Sequence, residues 1–174
     1  MFKGNHDYWW GSLNKLAQVL PPSIHLIQNN AFHWKEVTIG GARLWDTPEY
    51  SFGHLVEFRE NPRTKEKSAE SLIQEEFAEK QFNKELERLK MSLSQLNPEA
   101  RVRIAMTHYP PIGSDLQPSR AAQILEQNQI QIAVFGHLHN LKSQDPLFGE
   151  ARGVRYVLTS CDYIHFQPIA LTFG

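Results

Sequence analysis

Gly136-His137-Leu138-His139 sets two imidazoles two positions apart directly after the apolar run Ile132-Ala133-Val134-Phe135. That run is short, β-branched at two of its four positions and stopped by a glycine, which predicts a buried strand ending in a tight turn. His108 has the same setting. It follows Arg101-Val102-Arg103-Ile104-Ala105-Met106, where apolar residues alternate with polar or small ones as in a half-buried strand, and Pro110-Pro111 comes soon after. A third polar loop, Gly4-Asn5-His6-Asp7, also opens on a glycine. Side chains just past strand ends can be aimed at a common point, the place where open α/β sheets put chemistry. The spacing therefore predicts that Asn5, His6, His108, His137 and His139 converge.

Imidazole nitrogen suits zinc, iron, manganese or nickel, while amide and carboxylate oxygens suit harder divalent ions. Three histidines with an asparagine and a nearby aspartate fit a hydrolytic metal centre better than a structural zinc site, which would draw on several cysteines where this chain has one. Taken singly, each element has a plainer reading: a lone His-x-His after a strand is more often an ordinary loop pair. Three such loops in this order reverse that weighting.

Gly4-Asn5-His6-Asp7, a post-strand His108 and Gly136-His137-Leu138-His139 together resemble the calcineurin-like metallophosphoesterase family, over a stretch running from Gly4 to the C-terminus. The resemblance implies a metal-dependent phosphoester hydrolase (phosphatase or phosphodiesterase) with two divalent ions, Mn²⁺, Fe²⁺ or Zn²⁺, ~3.5–4 Å apart. It implies that Asn5, His108 and His137 ligate the second metal and His139 the first. His6 would serve the leaving-group oxygen, and Asp7 would hold the other nitrogen of the His6 ring. It also implies two packed mixed sheets flanked by helices, an αββα sandwich.

The family pattern opens with an Asp-x-His and then a Gly-Asp motif that carries the metal-bridging aspartate, and neither stands in this sequence. The expectation is thus a single domain over residues 1–174, N-terminally incomplete and without the first strands. Such a chain would hold one ion in place of two and be impaired in turnover. The alternative is a non-catalytic single-metal-binding or interaction protein derived from the same fold.

The elements that must position these residues follow from periodicity. Leu13, Leu16 and Leu20 fall on one face of a helix that ends at Pro21-Pro22. Of the aromatics just before it, Tyr8, Trp9 and Trp10, at least one tryptophan is expected in the core, although all could line a pocket. Ile24–Gln28 and Trp34–Ile39 read as strands, and Gly40-Gly41 as the lead into a further strand Ala42–Trp45; the family resemblance makes Asp46, which follows it, a candidate rim residue of the site. Lys65 to Leu96 is the longest periodic stretch, with Leu72/Ile73, Phe77, Phe82, Leu86, Leu89, Leu93 and Leu96 on the apolar face and Glu85 among the polar positions. Ser119 is placed to cap a helix through Leu125. Val154–Ser160 and Pro168–Phe173 read as closing strands, with Cys161 a packed small residue. His25, His33, His54 and His165 have no metal-like spacing.

Hydrophobic content of 41%, charged content of 21% and a formal net charge of -1 describe an ordinary globular domain and give no electrostatic case for nucleic acid or anionic membrane as partner. With no apolar stretch near 18 residues and no signal-peptide core after Met1, the chain is expected to be soluble and cytoplasmic. Its expected partner is a phosphoester substrate.

Overall fold

The computed structural model describes residues 1–57, 70–142 and 146–173. Among them stand three helices, α1 (Leu13–Val19), α2 (Glu70–Leu93) and α3 (Arg120–Gln127). Six strands accompany them: β1 (Phe32–Trp34), β2 (Val37–Ala42), β3 (Val102–Thr107), β4 (Ile132–Phe135), β5 (Glu150–Ala151) and β6 (Val154–Leu158). The strands form one mixed sheet in the order β1-β2-β3-β4-β6-β5. Its four inner strands run parallel, and β1 and β5 pair antiparallel at the two edges. The mixed α/β architecture is thus as expected; the six strands assigned among the described residues make one sheet.

Parallel strands buried on both faces read as apolar runs, as β4 does, while β3 and β6 each carry one arginine, Arg103 and Arg155. One face receives α2 and α3: Phe82, Leu86, Leu89 and Leu93 meet Ala121, Leu125, Ala133, Phe135 and Leu158 in the main core. The opposite face carries Val102, Ile104 and Ile132, flanked by half-buried Val37, Ile39, Met106, Val134 and Val157 and by Leu171 from the C-terminal segment.

Several expected strands take another form, for identifiable reasons. Ile24–Gln28 forms no strand; it is tied to the start of the chain by Met1 N to His25 O (2.7 Å) and Ile27 N to Met1 O (2.8 Å). Trp34–Ile39 is a hairpin turning at Lys35, whose φ is 51°. Gly40 and Gly41 do not break a strand but lie inside β2. There a Cβ on Gly40 would touch Ser92, Leu93 and Leu96, so the missing side chain lets α2 close on the sheet. Pro168–Phe173 forms no strand; it lies against the sheet through Arg155 Nη2, which donates to Thr172 O at 2.7 Å, and through Leu171. The short β5 escaped sequence reading; Arg152 (φ 50°) and Gly153 (φ 79°), both left-handed, turn it into β6 as a two-residue hairpin loop requires.

Of the helix predicted over Lys65–Leu96, residues 65–69 and the side chains of 70–74, Leu72 and Ile73 among them, lie outside the described residues. Two assignments in the described part are corrected. Phe77 is 55% exposed, whereas Glu85 is 1% exposed. Glu85 is accommodated in the core by pairing with Arg88 (2.6 Å) on its own helix and with Arg43 (3.5 Å) just beyond β2. Leu89 is fully buried. Leu89→Ala is therefore expected to cost about 2–5 kcal/mol in chemical denaturation, with Phe77→Ala within about 0.5 kcal/mol of wild type as its surface counterpart.

Candidate metal site

The sheet register decides which residues meet. Ala42 pairs with Thr107, Thr107 with Phe135, and Phe135 with Leu158. Four parallel strands thus end level with one another. Their exits deliver Arg43–Asp46, His108, His137–His139 and Cys161–Asp162 to one edge of the sheet, the carboxyl end where α/β folds bind ligands. The exits are tied together by backbone: His108 N and Tyr109 N donate to Arg43 O (3.1 and 3.0 Å), Gly136 N to His108 O (3.2 Å) and Thr159 N to Phe135 O (2.7 Å).

Within this frame His137 adopts φ 72°, and Leu138 N donates back to Gly136 O at 2.9 Å. A three-residue turn with positive φ at a β-carbon-bearing residue is a strained conformation of the kind concentrated at functional sites. Buried Leu138 anchors it in the main core. The turn brings the His137 ring to 4.9 Å from His108 and 4.0 Å from Tyr109, centroid to centroid.

The Gly4–Asp7 loop closes from the other side. A Cβ on Gly4 would stand 3.2 Å from the His108 ring and from Asp7, a tight contact, so glycine at this position lets the loop lie close on His108. Asn5 Oδ1 reaches His108 Nε2 at 2.7 Å, and His108 Nε2 lies 3.1 Å from His137 Nδ1. Neighbouring donors on one ion with metal–nitrogen distances of ~2.0–2.1 Å stand roughly 3 Å apart, so this donor set fits a divalent cation. His6, Asp7 and His139 line the same cleft, of about 340 Å³, with His6 and His139 exposed at its mouth.

Asp7 departs from the expected pairing with His6. Its carboxylate accepts from Gly4 N (2.7 Å) and Trp9 Nε1 (3.2 Å), and so holds its own loop shut. Of the neighbouring aromatics, Trp10 is core, as expected of at least one, while Tyr8 and Trp9 are exposed. His25, His33, His54 and His165 are all exposed.

Sequence reasoning passed over one partner in the site proper. Asp162, just beyond β6, accepts from His139 Nδ1 at 2.7 Å and from Asn140 N at 2.9 Å. Burial pushes its carboxyl up, but the hydrogen bonds from Asn140 and His139 outweigh that and leave it below the usual range. A carboxylate on one imidazole nitrogen fixes the tautomer and leaves the other nitrogen free as a ligand. Cys161, expected to be packed, is exposed because β6 stops at Leu158. Together His139, Cys161 and Asp162 bring one donor atom each within 4.8 Å of one another. The signal available in the sequence was the one that found His108 and His137: a polar residue just past a buried strand.

Burial, with the neighbouring His137, pushes the His108 imidazole down to about 4 against the pull of Asp7. Burial also lowers His137. Both rings are therefore neutral at physiological pH, with lone pairs free to bind a cation. In metal-free protein, the unfolded chain takes up a proton at His108 between its ordinary value of 6.5 and about 4, and the folded chain does not. The His108 contribution to stability should consequently fall as pH is lowered through that window and level off below it. Denaturation midpoints of wild type and His108→Gln over that range check this: wild type should lose more, and equal slopes would refute it.

The mixed α/β sheet thus carries, at the carboxyl ends of its parallel strands, a cleft lined by His6, His108, His137 and His139. The model of the family described as calcineurin-like phosphoesterase matches residues 1–141, and the chain belongs to that family. No curated protein and no solved structure matches the chain. Among the described residues no helix is long and apolar enough to cross a membrane.

Proposed function

We propose that the chain is a metal-dependent phosphoester hydrolase whose primary ion is held by Asn5, His108 and His137. One observation carries the reading: His108 Nε2 lies within hydrogen-bonding distance of both Asn5 Oδ1 (2.7 Å) and His137 Nδ1 (3.1 Å), which brings donors from three separate segments together. A divalent ion there, Mn²⁺, Fe²⁺ or Zn²⁺, would polarise a phosphoryl oxygen and acidify a bound water. The chain's own residues do the rest. His108 and His137, kept neutral by burial, present lone pairs. Asn5 adds an oxygen donor without adding negative charge that would repel a phosphoester. His6, exposed at the mouth, donates a proton to the departing oxygen. Asp7 acts through the loop: by closing Gly4 and Trp9 onto its carboxylate it sets the position of Asn5 and His6. Asp162 orients His139.

Calorimetric titration of the 174-residue chain with Mn²⁺ beside a p-nitrophenyl phosphate assay tests this. The expected result is about one tight equivalent, since three donors with water completing the shell suffice for one ion, and slow but metal-dependent turnover. No tight equivalent would overturn the assignment. A second equivalent that disappears in Asp162→Ala would show instead that the His139–Cys161–Asp162 cluster holds an ion of its own, and that the chain is not confined to one.

A further inference from the structure

The small polar cleft over Asn5 and His108 is continuous with a larger one. His137 and His139 line both, and the second, of about 660 Å³, is walled by Trp45, Tyr50, Phe52 and Tyr109 with Asp46 at its rim. That size falls in the range of small-molecule sites, roughly 300–1,000 Å³. A phosphoester whose phosphoryl group sits at the shared histidines can therefore place its organic half here.

The wall is built in advance. The Tyr50 hydroxyl donates to Pro110 O at 2.8 Å, and its ring meets Phe52 at 5.5 Å. Phe52 is in turn backed by Phe148 at 6.1 Å. Trp45 is held by the Arg43 guanidinium 4.4 Å from its ring and by Tyr109 at 5.5 Å. Rings fixed by their neighbours accept a flat partner with little loss of side-chain freedom. Of the polar lining, the Asp46 carboxylate is the acceptor: the hydroxyls of Thr47 and Ser51 already accept from Glu49 N and Gly53 N, and the Asn140 amide both donates and accepts. Among the described lining residues there is no lysine or arginine. With no cation to offset it, the Asp46 carboxylate favours an N–H donor and disfavours a second anionic group.

From this we infer that the organic half of the substrate is a planar aromatic group bearing hydrogen-bond donors, of the kind an amino-substituted nucleoside monophosphate presents. The inference rests on the phosphoesterase reading above and names the substrate class for that same site.

Calorimetry on the Mn²⁺-loaded 174-residue chain with AMP and with ribose 5-phosphate separates the ring from the phosphate both ligands share. AMP should bind about tenfold tighter or better, as stacking on aromatic side chains implies. Phe52→Ala should narrow that ratio to within about threefold. Asp46→Asn, which keeps size and lies on the exposed rim, should narrow it as well by weakening the contact to the exocyclic amine. Equal affinities for the two ligands in wild type, or a ratio untouched by both variants, would overturn the inference while inorganic phosphate still binds. If AMP, ribose 5-phosphate and inorganic phosphate all fail to bind, the phosphoesterase reading falls, and this inference with it.

Discussion

Replacing His108 with alanine is expected to remove tight Mn²⁺ uptake and to lower metal-dependent turnover by ~10³-fold or more. Loss of an outer partner of a metal ligand typically costs about 10–100-fold, and His108 is at the centre of the donor set. Its Nε2 touches both Asn5 Oδ1 and His137 Nδ1, so its removal leaves two donors from segments that no longer share a contact. The fold should survive the change. The ring is only part-buried, and the backbone at this position remains tied to Arg43 and Gly136. His165→Ala, exposed and outside the cleft, is the control and should match wild type in both measurements. Retention of the tight equivalent by His108→Ala would sink the assignment of the primary site.

The parts of this site that could be read from sequence are those with a local signal. His108 and His137 each follow a short buried strand, and a strand followed by a glycine or proline loop announces a side chain at a sheet edge. Asn5 and His6 were legible from the glycine that opens their loop. Asp162 was not. It lies 23 positions from His139, and only the parallel pairing of β4 with β6, which sets Phe135 beside Leu158, makes them neighbours. Asp7 misled in the opposite way. Adjacency to His6 suggested a pair, but a four-residue loop that turns back on Gly4 directs the carboxylate to its own backbone. Glu85 was hidden because helical periodicity tells which residues share a face, while the cations that let a carboxylate stay on the buried face come from elsewhere, in this case partly from Arg43.

Gly40-Gly41 was read as punctuation, and the structure makes Gly41 the least replaceable residue of β2. A Cβ there would stand 1.8 Å from the Met106 carbonyl oxygen on β3, well inside any contact that backbone atoms can make. Backbone cannot swing aside as a flexible side chain does, so Gly41→Ala must push β2 and β3 apart. It must also strain the hydrogen bond from Gly41 N to buried Ser92 Oγ, 2.7 Å, that fastens β2 to α2. The expected cost is at least about 3 kcal/mol, above the usual range for overpacking because the clash is with main chain. The consequence for the site follows from the register. Ala42 and Arg43 come next, and the Arg43 carbonyl accepts from His108 N and Tyr109 N. A displaced β2 exit therefore moves His108 relative to Asn5 and His137, so any folded fraction should bind Mn²⁺ more weakly than wild type. Gly11→Ala, where an added Cβ meets nothing within 4 Å, should change stability by no more than about 0.5 kcal/mol. Equal denaturation midpoints for the two variants would show that the β2–β3 pairing is looser than this register allows.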